Sequence, residues 1–302
     1  MKIGIDLGGS HIAIGVVDNQ GRIIEKQEKR LLKKDKENIK KVIEEYIVQT
    51  VERFEKEYKI TEIGIAIPGT VANGMIIKSV NLGIENYNIV DKLNEKLNYK
   101  IKIRNDAKCA AIAENEYGSL KKYKRAVFVT LGTGIGGAVI INNELLDTGK
   151  LPGCEIGHMV VENDGVLCNC GRKGCFEKYA SMKVFKNNLR KELNLDEKTS
   201  GKDLLNIIRE SSKNKESKKY KVIEKVIDKY INYLALGLAN LINIFEPEAI
   251  GIGGSFVYFE EELLGRLKEK LLEKNMLFNP RENIVIETAI LGNDAGIIGS
   301  TI

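Results

Sequence analysis

The sequence predicts an α/β protein of two lobes, each built around a strand, glycine turn and strand suited to holding phosphate. Three observations predict it. Residues 2–18 read as an apolar strand (KIGID), a glycine turn (LGGS) and a second apolar strand (HIAIGVVD). Residues 126–141 repeat that plan as AVFVT, LGTGIGG and AVII, at a distance far longer than a solenoid repeat, so each lobe carries one copy. Elsewhere strands alternate with helix-length amphipathic segments, which is the pattern of an α/β protein. Glycines packed this densely let backbone N–H groups come close to an anion. The dinucleotide-binding fingerprint and the P-loop both require a helix directly after the glycines; here a strand follows, which excludes them.

The remaining elements follow in chain order. Ile39, Val42, Ile43, Tyr46, Ile47, Val51 and Phe54 fall at helical spacing and predict one amphipathic helix on the first sheet. EIGIAIPG reads as a buried strand ending in a Pro-Gly turn. YKIKIRND, with Ile101 and Ile103 alternating with basic residues, reads as a half-exposed strand leading into the helix AKCAAIAENEYGSL. Beyond the cysteine-rich segment the chain turns helical, and KKYKVIEKVIDKYINYLALGLANLINIF predicts one long helix stopped by Pro247. EAIGIGGSF is a strand with a glycine turn followed by the helix EEELLGRLKEKLLEK, and IVIETAILGNDAGIIGSTI closes the chain as strand, turn and short small-residue helix. The polar stretch SSKNKESKK reads as a surface loop. No Pro-, Gly- or Ser-rich linker separates the lobes, so the expected boundary is a hinge near residues 105–116. The expected division is a small N-terminal lobe over 1–116, with the C-terminal helix (about 291–302) packed back on it, and a large lobe over 117–290.

Composition limits the function classes. A chain of 302 residues, 43% hydrophobic, can bury two cores and is neither disordered nor fibrous. Its 47 Lys and Arg interleave with 42 acids along helix faces such as KENIKKVIEEYIVQTVERFEKEY, so the net +5 reads as solvated surface. No basic run alternates with aromatics, and no nucleic-acid partner is expected. The apolar runs are too short to span a bilayer and MKIGIDLGGS reads as strand and turn, so the expectation is a cytoplasmic protein with no membrane partner. Five cysteines are an odd count, and Cys168, Cys170 and Cys175 crowd one segment, which favours metal over disulfide.

Asp6 ends the first strand, just before LGGS. A carboxylate beside a hydroxyl and free N–H groups suits a magnesium-phosphate group, with the acid facing the metal through water; a tight hairpin without ligand is the alternative. Asn105 and Asp106 lie where a strand hands over to a helix. Either residue type can cap the helix, and Asp106 can instead act as a general base while Asn105 caps or binds. His158, Cys168, Cys170 and Cys175 form a Cys₃His set, which reads as a closed tetrahedral zinc site of structural type, against buried free thiols. Zinc affinity of ~10–16 kcal/mol in small sites rivals the ~5–15 kcal/mol stability of a whole domain, so losing zinc should unfold this loop. Glu155 and Glu177 flank the loop as acceptors for a polyhydroxylated substrate or as ordinary surface acids.

Together these segments resemble the ROK family (repressors, open reading frames, kinases) of the actin and hexokinase superfamily, over nearly the whole chain. DLGGS is similar to the first phosphate motif, LGTGIGG to the second, IGIGGSF to the adenosine motif, and CEIGH with CNCGRKGCFE to the family signature. The resemblance implies a two-lobed actin-like ATPase (ribonuclease H-like) fold with a zinc-stabilised loop on His158, Cys168, Cys170 and Cys175. It implies ATP contacts at Asp6, Gly8, Gly9, Ser10, His11, Gly132, Thr133, Gly134, Gly136, Gly253 and Gly254. It makes Asp106 the catalytic base and Gly69, Asn81, Asn105, Asp106, Glu155, His158 and Glu177 sugar contacts, so that His158 serves both zinc and sugar. Ser10 stands for the usual threonine and keeps the hydroxyl. The family often has a tryptophan shortly after the asparagine matched by Asn81; this chain has no Trp, and Tyr87 stands near that place, which bears on the shape of the sugar pocket.

The implied activity is that of an ATP-dependent hexose kinase using magnesium-ATP, with glucose as first substrate and N-acetylmannosamine, N-acetylglucosamine, allose or fructose as alternatives. Two other readings come from different classes. A sugar-responsive repressor would carry a DNA-binding extension, whereas Met1 stands five residues before Asp6. A sugar-binding protein without transfer would lack the catalytic acid, and Asp106 is present. The resemblance also favours a homodimer, or a higher oligomer, as the assembly.

Overall fold

The computed structural model describes residues 1–146 and 153–302. Its strands are β1 (Lys2–Leu7), β2 (His11–Val17), β3 (Ile23–Arg30), β4 (Glu62–Ile67), β5 (Thr70–Ala72), β6 (Met75–Ser79), β7 (Ile84–Tyr87), β8 (Lys100–Asn105), β9 (Arg125–Leu131), β10 (Ile135–Ile141), β11 (Glu144–Leu145), β12 (Ala249–Gly254) and β13 (Ile286–Thr288). The helices are α1 (Ile39–Phe54), α2 (Ile89–Asn94), α3 (Asp106–Glu116), α4 (Glu177–Ala180), α5 (Met182–Glu192), α6 (Gly201–Ser211), α7 (Lys218–Phe245), α8 (Glu260–Leu271) and α9 (Ala295–Ser300).

Two five-stranded sheets repeat one topology, β3-β2-β1-β4-β8 and β11-β10-β9-β12-β13, and a small sheet runs β5-β6-β7. In the first sheet β1 pairs antiparallel with β2 and parallel with β4; in the second, β9 pairs parallel with β12, which pairs parallel with β13. The duplication read from the two glycine turns therefore extends to whole sheets.

The chain divides into two compact units. The first comprises Met1–Lys124, Ile140–Cys154 and Ile290–Ile302, the second Arg125–Val139 and Glu155–Ala289. This differs from the break expected after Glu116. The turn following α3 is tied back to that helix: Asn115 Nδ2 donates to the carbonyls of Leu120 (3.4 Å) and Tyr123 (3.1 Å), and the Ser119 N–H donates to Glu114 (2.8 Å). The Asn143 N–H in turn donates to the Lys124 carbonyl at 3.0 Å, which keeps the β11 hairpin with the first unit.

Within the first unit the period-2 alternation of β1 sorts its faces. Ile3, Ile5 and Leu7 enter a core with Ile43, Ile47, Val51 and Phe54 of α1. Gly4 and Asp6 face the other way, toward α9. A Cβ on Gly4 would lie 2.1 Å from the Ile297 carbonyl, and one on Gly64 of β4 would lie 1.8 Å from that of Ser300. The missing side chains let α9 lie directly on the sheet, which places Gly296 beside the Asp6 carboxylate.

In the second unit, Phe185 of α5, Tyr230 of α7 and Phe259 pack together, with ring centroids 4.7 and 5.7 Å from Phe185. Helix α7 covers the segment the sequence marks; Glu246, in the left-handed conformation just before Pro247, ends it. No described helix is long and apolar enough to cross a membrane.

Candidate active site and metal centre

In the first unit, the ends of β1, β4 and β8 gather the predicted residues. Asp6 pairs with Ala13 of β2 and Ala66 of β4. Burial, and then the charge of Asp106, push its carboxyl up to about 7; Lys26 acts in the opposite sense. Lys26 itself is anchored to Glu28 (2.6 Å) and Asp294 (2.8 Å). Asp106 opens α3 and its Oδ1 accepts from the Ala107 N–H at 2.9 Å; burial raises its pKa as well.

Asn105 is the N-cap of α3. Its Oδ1 accepts from the Lys108 N–H (3.2 Å) and its Nδ2 donates to the Gly69 carbonyl (3.0 Å), so its amide already joins helix start to Pro-Gly turn. Gly69 has φ +115°, and a Cβ there would lie 2.2 Å from the Lys78 carbonyl; only glycine fits. Asn105 also lines a cavity of about 550 Å³ in this unit, with Asn73, Arg104, Lys108 and Asn143.

The first glycine turn closes with the Gly8 N–H donating to the His11 carbonyl (2.9 Å), and Ser10 and His11 are exposed. A Cβ on Gly9 would contact Asn81 at 3.2 Å, so the structure brings this turn beside the predicted sugar-binding asparagine. Tyr87 is committed elsewhere: its hydroxyl donates to Glu44 of α1, and the Lys40 ammonium stands 5.0 Å from its ring centroid.

In the second unit, Gly132, Thr133 and Gly134 form the three-residue turn between β9 and β10, with Gly136 half-buried in β10. The Gly132 N–H donates to the Gly134 carbonyl, and the Gly132 carbonyl accepts from the Lys183 N–H of α5, both at 3.0 Å. Gly253 and Gly254 end β12, in register with Thr130 and Leu131 of β9, so the third glycine motif lies against the start of the second.

The four predicted metal ligands come together. Ligand atoms of His158, Cys168, Cys170 and Cys175 all lie within 4.8 Å of one another. Cys170 and Cys175 sulfurs are 3.6 Å apart, and Cys168 Sγ is 3.8 Å from His158 Nδ1. Tetrahedral zinc with ~2.3 Å bonds to sulfur needs sulfurs ~3.8 Å apart, so the donor set fits one such ion. A knuckle presents the thiols: the Cys168 N–H donates to the Arg172 carbonyl (2.8 Å) and the Gly171 N–H to that of Cys168 (2.9 Å). With Nδ1 facing the thiols, His158 keeps Nε2 for another partner.

Glu155 is exposed at the start of the short turn Ile156–His158. Glu177, at the start of α4, is placed more tellingly. Its Oε1 accepts from Cys168 Sγ at 3.2 Å, while its Oε2 would lie 2.7 Å from a Cβ on Gly134. One carboxylate thus touches both the metal cluster and the second glycine turn. Sequence reasoning missed this link, along with Gly296, Lys26 and Lys186, because each depends on a contact between segments distant along the chain. The small-residue run AGIIGS was the one legible hint, since such a run permits close helix packing.

Known structures define the class of the fold. A crystal structure of a ROK family glucokinase from Streptomyces griseus, in complex with glucose and AMPPNP, matches with TM-score 0.78 at 26% identity, over 99% of this chain and 97% of that one. The fold is accordingly of the actin-like ATPase type. The ROK family model matches residues 2–302, and the chain belongs to the ROK family. A glucokinase of Thermotoga maritima is 31% identical, covering 99% of this chain and 95% of its own length. A xylose repressor of Caldicellulosiruptor bescii is 28% identical, covering 98% of this chain and 76% of its own length. Relatives of both kinds mean that the activity has to be argued from the site.

Proposed function

We propose that the protein is an ATP-dependent hexose kinase that transfers the γ-phosphoryl group to the 6-hydroxyl of a hexose, with glucose as the preferred substrate. N-acetylmannosamine, N-acetylglucosamine, allose and fructose are the alternatives. The observation that carries this reading is Asp106: a carboxyl at a strand-to-helix junction beside Asp6, its pKa raised by burial. Asp106 takes the proton of the 6-hydroxyl as the oxygen–phosphorus bond forms and the bond from the γ-phosphorus to the bridging oxygen breaks, releasing ADP.

Gly69, Asn81, Asn105, Glu155, His158 and Glu177 are the residues assigned to the sugar. Gly8, Gly9, Ser10 and His11, with Gly132, Thr133, Gly134 and Gly136, are the residues assigned to the phosphates, the Gly8 and Gly132 N–H groups closing their own turns, and Gly253 and Gly254 take the adenosine. Magnesium suits Asp6, because a buried acid raised to about 7 beside a second acid is relieved by a divalent charge, and the absence of a side chain at Gly296 leaves the carboxylate room. When bound it neutralises phosphate charge. Zinc suits the Cys₃His set and, with every position filled by protein, acts structurally. We place the protein in the cytoplasm as a homodimer.

A repressor reading has the xylose-repressor likeness in its favour. Catalysis by Asp106 separates the two. The Asp106→Asn variant is expected to bind sugar like wild type by calorimetry while turning over ~10²-fold or more slowly; equal rates in the two proteins would sink the assignment.

A further inference from the structure

We propose that Lys186 is a nucleotide ligand, its ammonium group donating to a phosphate oxygen of bound ADP or ATP. The proposal rests on the kinase reading and names a residue outside the glycine motifs. Lys186 lies on α5, whose first turn is fastened to the second glycine turn by the Lys183 N–H to Gly132 carbonyl bond. One helical turn further on, its Nζ donates to Ser255 Oγ at 3.0 Å, and Ser255 directly follows Gly254. Gly254 is itself held against the Leu131 carbonyl, 2.5 Å from where its Cβ would stand. Lys186 is therefore carried on the helix fastened to one glycine segment assigned to the nucleotide and bonded directly beside the other.

Among the described residues no carboxylate forms an ion pair with Lys186, whereas many surface lysines of this chain have one. Burial, and then the neighbouring cation of Arg190, push its pKa down, the mark of a half-buried ammonium with no counter-charge. Arg190 is spent on the Thr199 carbonyl and Asn187. An ammonium has three donors, and Ser255 takes one. Gly201, the first residue of α6, lies alongside the ammonium: a Cβ there would stand 3.6 Å from Lys186 Nζ, an ordinary contact. A cation bonded beside one glycine turn and carried on the helix fastened to another, with spare donors and no ion-paired carboxylate among the described residues, fits an anionic group, and the nucleotide phosphates are the anion that the assigned function supplies.

The test is calorimetric titration of the zinc-loaded, magnesium-containing protein with ADP and, separately, adenosine, for wild type, Lys186→Met and Lys186→Arg. Methionine keeps an unbranched stem and removes the charge, including that of the ammonium standing 5.8 Å from the Phe259 ring centroid. The expected result is ~10-fold or greater weakening of ADP binding in Lys186→Met, with adenosine binding unchanged and Lys186→Arg close to wild type. Unchanged ADP affinity in Lys186→Met, or equal loss of ADP and adenosine, would overturn the assignment while leaving the kinase reading in place. A wild-type protein that binds neither ligand would overturn both.

Discussion

The two glycine hairpins share a plan and differ in where they put charge. IDLGGS and VTLGTG align so that Thr130 occupies the place of Asp6. Each hairpin has a three-residue turn, and each first strand has a parallel neighbour on its far side. The first hairpin carries its acid within the strand, buried against α9 and raised to about 7. The second is neutral at that position and takes a carboxylate from elsewhere, Glu177, whose other oxygen is bonded to Cys168 of the metal cluster. The duplicated scaffold thus places its carboxylates differently: within the strand in the first hairpin, and on Glu177, bonded to Cys168 of the Cys₃His cluster, in the second.

Substitutions can break this contrast. Replacing Asp6 with Asn should lower turnover by ~10²-fold at saturating magnesium-ATP and sugar, because it removes the acid proposed for the metal-phosphate group; steady-state kinetics over a magnesium series would check it. Replacing Cys170 with Ala should lower bound zinc and activity together, by ~10-fold in rate, through loss of the knot that supports Glu177 and the second turn. Stoichiometric zinc in that variant, measured by metal analysis, would mean the ligand set is wrong.

Protonation sharpens the comparison. The folded pKa of Asp6 is raised from 3.8 to about 7, so between those values the folded chain retains a proton that the unfolded chain releases. Its contribution to stability is full below the lower value and is lost as pH rises toward the higher one. In urea titrations without metal or nucleotide, Asp6→Asn should match wild type near pH 4 and exceed it near pH 7.5. The smallest effect belongs to the second hairpin: Thr130→Ala should change turnover by no more than ~3-fold, since no charge is lost.

Much of this was legible in the sequence for physical reasons. The glycine turns announced themselves because apolar strands flanked both, and α7 because 28 residues keep helical periodicity up to the residue before Pro247. The Cys₃His cluster was readable because three of its members are close in the chain. Strand β3 was not: IIEKQEKR alternates, but its exposed edge carries charges that read as a polar connection. The small β5-β6-β7 sheet was hidden by its short strands, whose residues are largely half-exposed. By residue type alone Asn105 can be cap or ligand, and the bond from the Lys108 N–H to its Oδ1 shows that the cap is made. The reach of Glu177 from Cys168 to Gly134, and of Gly296 to Asp6, are tertiary contacts with no local signal at all.

The most direct measurement is a coupled ADP-release assay on the zinc-loaded protein with magnesium-ATP and glucose, N-acetylmannosamine, N-acetylglucosamine, allose, mannose or fructose. Sugar-dependent ADP release, fastest with glucose, is the result expected. Release that no sugar in the panel stimulates would contradict the assignment of this site to hexose phosphorylation.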